Sequence, residues 1–275
     1  MTLRFCLVGR GISGSPSPAM QNAAMRAAGV DGAYELQDLP VDELPGFMRR
    51  VRDGEFQGCN VTIPHKAAAA ALCDSLGGDA AQLGVANTIA VDGGRLRGLN
   101  TDAAGFALAL QRTGLAPEPG TTAVVLGAGG AAAAVALALV RLQVSGLTVV
   151  ARSADAAAAM LERAAPAIAS SAVAWERNDA AVALAAAGII VNATPVGLAD
   201  LPLDVHALQA SCTVADVRYR PRPVDLVTAA AESGRRATDG VEMLLCQGML
   251  NFTRWTGLEP PWDAARAALL EALET

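Results

Sequence analysis

"TTAVVLGAGGAAAAVALALV", residues 121–140, is uncharged and long enough to cross a bilayer if it formed one helix. Its internal pattern argues otherwise. Gly127, Gly129 and Gly130 split it, with β-branched Val124 and Val125 before them and an alanine-rich stretch after. That order predicts a buried strand, a tight turn and a buried helix, so a membrane span is rejected. The pattern then repeats downstream as "LTVVA", "SADAAAAMLERA", "AVAWE", "DAAVALAAA", "GIIVN", "TVADV" and "PVDLVTAAAESG". Apolar strands alternating with helices predict a parallel sheet covered on both faces, an α/β fold.

Upstream, strand and helix also alternate. "RFCLV", "AYELQDL" and "QGCNVTI" read as strands. "SPAMQNAAMRAAG" reads as a helix entered through Pro18 and closed by Gly29, and a further helix is expected around Asp42–Arg52. Pro64 suits the first turn of a helix "PHKAAAAALCDSL", where its missing N–H costs nothing. "VANTIAV" and "RLRGL", joined by Asp92-Gly93-Gly94, predict a hairpin. After a helix following "NTD", the Pro/Gly break "LAPEPG" at 115–120 reads as a connection between two domains. The last segment supplies two helices without a strand, able to return to the first domain.

Composition narrows the chemistry. The chain has 275 residues, 52% hydrophobic and only 4% aromatic, so its core is built from Ala, Val and Leu. A net charge of -6 argues against a broad nucleic-acid or anionic-membrane surface. Five scattered cysteines and two histidines form no metal-ligand spacing, so no metal is expected and the thiols are read as free in a reducing cytoplasm. The start, "MTLRFCLVGRGISGS", is too soon polar for a signal peptide.

"GAGGAA", residues 127–132, fits G-x-G-x-x-G/A in its required setting, after a strand and opening a helix. Glycines there let the backbone approach a pyrophosphate, whose charge faces the helix N-terminus. The next strand ends in Arg152 and Ser153 rather than an acid. A guanidinium cannot accept from a ribose hydroxyl but can clamp a 2′-phosphate, which favours NADP over NAD. The alternative has Arg152 in a solvated helix start and Asp155 on the ribose.

Lys66 is the only lysine; the other 20 basic side chains are arginine. Guanidinium stays charged, whereas an amine can exchange a proton when suitably placed. A lysine kept against so strong an arginine bias is a candidate for proton transfer, with a solvated first-turn lysine as the alternative. Asp102, opening a helix after "GLNTD", could hold such an ammonium. It could equally be an ordinary first-turn acid favoured by the helix dipole.

Taken together, these residues resemble the shikimate dehydrogenase family, over nearly the whole chain. "GISGSPSP" is similar to the family's serine turn for the substrate carboxylate, implying that role for Ser15 and Ser17. "NVTIPHK" resembles NVTxPxK, implying Lys66 as acid/base and Thr62 in the substrate pocket. "ANT" and "NTD" imply that Asn87 and Asp102 grip the ring hydroxyls with Lys66, Asp102 also orienting the lysine. "GAGGA" implies Gly127, Ala128, Gly129, Gly130 and Ala131 as the NADP loop, and "ARS" implies Arg152 and Ser153 as the phosphate clamp. "NATPVG" brings Thr194, and "DVRY" brings Val217, to the cofactor. Tyr219 and Gln247 fall to the substrate, Gly240 and Met243 to the nicotinamide side.

The resemblance implies reversible, NADP-dependent oxidation of shikimate to 3-dehydroshikimate in aromatic amino acid biosynthesis, the chorismate pathway. It implies a substrate domain at 1–102 and 239–275 and a Rossmann-type NADP domain at 103–238, with closure about the connections. A small hydroaromatic acid would be the partner, with no nucleic acid or membrane, for a cytoplasmic monomer or homodimer. The chain also departs from the pattern. Gly11 and Gly14 stand where the family usually has Pro and His, Ala151 where Asn is common, and Val224-Asp225 where many members carry Thr-Pro. These departures keep a second reading open, a dehydrogenase of the same family for quinate or another hydroaromatic acid, with NAD as well as NADP open to it. A nucleotide sensor on the same fold would need neither Lys66 nor Asp102, and both are present.

Overall fold

In the computed structural model, residues 2–176 and 178–274 are described, and the chain divides into two compact units. The first comprises 1–101 and 245–275, the second 102–244.

The first unit alternates β1 (Leu3–Gly9), α1 (Ser17–Ala27), β2 (Gly32–Asp38), α2 (Leu44–Arg52) and β3 (Gly58–Val61). It continues with α3 (Lys66–Ala71), β4 (Ser75–Leu76), α4 (Asp79–Leu83), β5 (Thr88–Asp92) and β6 (Arg95–Leu99). The sheet runs β2-β1-β3-β5-β6-β4. β1 pairs in parallel with β2 and β3, β5 antiparallel with β3 and β6, and the short β4 parallel with β6. The expected hairpin is there: Gly93 and Gly94 both adopt positive φ, which the two-residue turn needs. Cys6, Val8, Phe56, Cys59, Val61 and Ile89 are among the buried side chains that α2 and α3 cover.

Two details differ from expectation. The helix after β3 begins at Lys66 and ends at Ala71, so Pro64 lies in the preceding turn and not in its first turn. Ser75-Leu76, expected as the end of that helix, instead forms an edge strand, because Asp74 accepts the Leu96 N–H and draws the chain onto β6. The five-residue α4 was hidden by its brevity.

The second unit comprises α5 (Asp102–Arg112), β7 (Thr122–Leu126), α6 (Gly130–Arg141), β8 (Gly146–Ala151), α7 (Ala154–Ala164) and β9 (Ala169–Ala174). Then follow α8 (Asn178–Ala186), β10 (Ile189–Asn192), β11 (Thr213–Asp216), α9 (Asp225–Glu232) and β12 (Arg236–Thr238). All its strand pairs are parallel, in the order β12-β11-β10-β7-β8-β9. β12 was not anticipated; its "RAT" is too short and polar to stand out, and parallel pairing with β11 makes it a strand. β9 also starts earlier than "AVAWE" suggested, at Ala169. The opening stretch is β7, the glycine turn and α6, and no helix of the described residues is long and apolar enough to cross a membrane.

α10 (Val241–Thr256) contains the unit boundary, and α11 (Trp262–Glu274) belongs to the first unit and packs on α1. Within the first unit, Gln21 Nε2 of α1 donates to the Gly248 carbonyl of α10 at 2.9 Å. A side chain at Gly248 would overlap Met20, so glycine there lets the two helices meet.

Candidate active site

In the first unit, site residues gather at the ends of β1, β3 and β5. Asp38, closing β2, accepts the N–H groups of Gly11 and Ile12 at 3.1 and 3.0 Å and so fixes the loop after β1. Ser15 and Ser17 meet at the end of that loop: the Ser15 hydroxyl donates to Ser17 Oγ at 3.2 Å and accepts the Ser17 N–H at 3.3 Å. A Cβ placed on Gly9 would lie 2.5 Å from Thr62 Cγ2, so the glycine ending β1 lets Thr62 pack beside this loop.

Lys66, half-buried, opens α3, and its carbonyl accepts the Ala86 N–H at 3.1 Å. The next residue, Asn87, is buried and accepts the Val61 N–H on its carbonyl at 2.8 Å. These two backbone bonds bring Lys66, Thr62 and Asn87 together. Asn87 Oδ1 accepts the Thr101 N–H at 2.9 Å and its Nδ2 donates to Thr101 Oγ1 at 3.0 Å. Asp102, next in the chain, is buried at the first position of α5 and is the first residue of the second unit.

Behind Asn87 lies a buried polar chain that sequence reasoning missed. The Thr88 hydroxyl lies 2.7 Å from Asn87 Oδ1 and 2.9 Å from Asn251 Oδ1, and accepts from Asn60 Nδ2 at 3.3 Å. Tyr34 donates its hydroxyl to Asn60 Oδ1 at 2.8 Å, and burial pushes its phenol well above the usual range, which keeps it a donor. Asn251 Nδ2 reaches Gln247 Oε1 at 3.4 Å, so the two amides expected on the substrate share one network. The available signal was an asparagine in the apolar run "MLNF" of α10. His65 is fully buried and bonded through Nε2 to the Leu39 carbonyl at 2.9 Å, a packing role beside the lysine.

In the second unit, Gly127 follows β7 with φ +108, and a Cβ there would lie 2.9 Å from Thr194 Cγ2. The glycine turn and the loop after β10 are therefore in contact. Gly129 caps α6 in an extended conformation with no side chain bonded at the cap. Ala128, Gly129, Gly130 and Ala131 thus line a helix start whose N–H groups suit a pyrophosphate. Arg152 is exposed at the end of β8, and Ser153 caps α7 by accepting the Ala156 N–H at 3.2 Å. Tyr219 and Met243 are half-buried, in the segment after β11 and in the first turn of α10. The Gly240 N–H donates to the Arg218 carbonyl at 2.9 Å, and a methyl on Gly240 would collide with the Val217 carbonyl. Val217, Gly240 and Met243 are so held near one another.

Charges concentrate below the loop carrying Thr194. Asn192 Oδ1 accepts from the Thr194 N–H and hydroxyl, and its Nδ2 donates to Asp216 at 2.9 Å. Arg218 donates to Asp216 at 2.7 Å and to Asp225 at 2.6 Å. The bond to Asp216 outweighs burial and raises the guanidinium further above its ordinary value. Burial alone would raise the Asp225 carboxyl, but Arg218 and the Leu198 and Leu226 N–H groups hold it below the usual range.

The strand order of the second sheet, with a glycine turn after its central β7 and a helix N-terminus facing it, defines a Rossmann-type α/β dehydrogenase architecture. Residues 7–89 match the family model described as the shikimate dehydrogenase substrate binding domain, and residues 240–270 that of the shikimate 5'-dehydrogenase C-terminal domain. A shikimate dehydrogenase (NADP(+)) of Symbiobacterium thermophilum is 41% identical over 98% of this chain and 94% of its own length. The Thermus thermophilus shikimate 5-dehydrogenase, solved with NADP(H) and shikimate, superposes with a TM-score of 0.88 at 36% identity, covering 99% of this chain and all of that one. A quinate dehydrogenase of Corynebacterium glutamicum in complex with NAD superposes at 0.89 with 32% identity, covering 98% of this chain and 99% of its own. The chain belongs to the shikimate dehydrogenase family.

Proposed function

We propose that the protein oxidises shikimate reversibly to 3-dehydroshikimate with NADP, the first unit holding the substrate and the second the cofactor. The observation that carries this reading is the pair of backbone bonds that sets Lys66 and Thr62 beside Asn87. NADP, when bound, accepts or returns the hydride. Its fit rests on the glycine turn after β7, whose close approach to Thr194 excludes a Cβ, and on the α6 N-terminus. Gly127, Ala128, Gly129, Gly130 and Ala131 would take the pyrophosphate, Arg152 and Ser153 the 2′-phosphate, and Thr194, Val217, Gly240 and Met243 the nicotinamide side.

Lys66 exchanges the proton of the reacting hydroxyl, and Asp102 orients its ammonium. Asn87 binds a ring hydroxyl through an amide already fixed by Thr101, which limits the freedom lost on binding. Ser15 and Ser17 hold the carboxylate with hydroxyl donors, and Thr62, Tyr219 and Gln247 complete the substrate contacts. We assign the enzyme to the cytoplasm, as a monomer or homodimer. Steady-state rates with shikimate and quinate, each with NADP and NAD, test the assignment. Shikimate with NADP is expected to be fastest. Faster turnover of quinate with NAD would favour the second reading, which the similarity to the quinate dehydrogenase supports. No turnover of either acid would sink the assignment to shikimate and to quinate and send the search to other hydroaromatic acids.

A further inference from the structure

We propose that Arg218 and Asp225 are positioning residues for the nicotinamide half of the cofactor, acting through the loop between β10 and the short turn at Leu198. The inference rests on the reading above that places Thr194 and Val217 beside the nicotinamide.

The loop is tied at two points. At its start, buried Asn192 holds Thr194 through both the N–H (3.1 Å) and the hydroxyl (2.7 Å). At its end, Asp225 Oδ2 accepts the Leu198 N–H at 2.7 Å. The two anchors belong to one charged chain. Asn192 donates to Asp216, which is 1% exposed, and Asp216 is neutralised by Arg218, whose Nε and Nη2 both donate to it. The same Nη2 then donates to Asp225 Oδ1. Moving Arg218 therefore disturbs Thr194 through Asp216 and Leu198 through Asp225. It also disturbs Val217 directly, because the Arg218 backbone N–H is pinned to Asp216 Oδ1 at 2.8 Å.

Asp225 makes both contacts at once, one carboxylate oxygen accepting from Arg218 and the other from the Leu198 N–H. Gly197, in the loop motif itself, makes room for it: a Cβ there would lie 2.6 Å from Asp225 Oδ2. The carboxylate occupies the space beside the loop that a larger residue at 197 would need.

Binding of NADP and of adenosine 2′,5′-bisphosphate, which carries the 2′-phosphate but no nicotinamide, separates positioning from general damage. Asp225→Ala should weaken NADP about tenfold, as expected for loss of one charge-assisted anchor. The bisphosphate Kd should stay unchanged, with KM for NADP raised and KM for shikimate unaltered. Asp225→Asn, which keeps an oxygen for the Leu198 N–H, should recover part of the loss. Arg218→Lys, which keeps the charge that Asp216 requires but loses the fork that reaches two carboxylates, should behave like Asp225→Ala. Equal weakening of both ligands, or NADP affinity unchanged in Asp225→Ala, overturns the proposal. If the wild-type protein binds the bisphosphate no more weakly than NADP, or binds neither, the underlying placement of the nicotinamide fails and the inference with it.

Discussion

Replacing Lys66 with arginine keeps a cation at the start of α3 and removes the group able to exchange a proton. The backbone should hold, because the Lys66 carbonyl bond to the Ala86 N–H at 3.1 Å and the Val61–Asn87 bond beside it involve no lysine side-chain atom. The helix is short, but Ala69 and Ala70 pack into the core and arginine is as good a helix former as lysine. Stability should therefore change by no more than about 1 kcal/mol, since the charge is kept beside its neighbours and only the shape of the cation changes. The chemical step should suffer far more. Positioned acid–base catalysis contributes roughly 10²–10⁴ in rate, and guanidinium does not give up its proton near neutrality. A loss near the middle, about 10³ in kcat, corresponds to about 4 kcal/mol of barrier. Following reduced nicotinamide by absorbance at saturating shikimate, with a melting curve and an NADP titration alongside, would isolate that effect. NADP affinity should hold within about twofold, since the residues proposed for the cofactor belong to the other unit. If Lys66→Arg turns over within about threefold of wild type, Lys66 supplies charge and not a proton, and the acid–base assignment is wrong.

Three further outcomes follow from the same geometry. Asn251→Leu removes the partner of Thr88 and Gln247 inside a closed network, which should cost about 1–3 kcal/mol in denaturant unfolding. It should also raise KM for shikimate while leaving KM for NADP alone; unchanged shikimate KM would detach the network from the substrate site. Gly240→Ala drives a methyl into the Val217 carbonyl, so backbone must shift, at about 1–3 kcal/mol; NADP titration should weaken and shikimate binding should not, and an unaffected NADP Kd would count against Gly240 as a cofactor contact. Stability should fall at both ends of the pH range. Asp74, held down chiefly by the Leu96 N–H and also by Arg52, and Asp225 both have depressed folded values. Their contributions are complete above the ordinary carboxylate range and vanish as pH falls through the folded values. Burial raises Cys212 to about 11 and Cys73 to about 12, from an ordinary 9.0, so stability is lost as pH rises above that ordinary value. Denaturant midpoints across pH check both limbs, and Asp74→Asn should flatten the acid one; an acid limb as steep as wild type in that variant would remove Asp74 from the account.

Much of the fold was legible because its signals are local. The stretch at 121–140 carries strand, turn and helix within a few residues of one another, and the parallel sheet follows from repetition of that unit. The hairpin at 88–99 was legible for the same reason, since two glycines at positive φ suffice to turn it. Pro64 misled because one rule, that proline suits a helix start, competed with another. Here the proline sits in the turn that ends β3, and the helix waits for Lys66. β12 and the edge strand at 75–76 exist only because a distant strand offers them hydrogen bonds, which short polar segments cannot announce.

The residues that sequence reasoning did not find share one physical property: each is a buried or half-buried polar group in a network that draws on more than one element of the fold. Thr88 meets Asn251 across 163 positions, and Tyr34 meets Asn60 across 26. A buried amide or carboxylate costs too much to leave unpaired, so burial itself implies a partner, but composition and periodicity do not say which. Motif residues such as Lys66 and Gly127 carry their chemistry in their immediate neighbours and can be read singly. Asn251, Asp216 and Arg218 have meaning only as pairs, and the pairing is a product of the folded sheet. Asp225 shows how such a pair becomes visible. In the linear chain it is an ordinary first-turn acid of α9, and in the fold it is the second carboxylate that Arg218 grips, tying the loop after β10 to the start of α9.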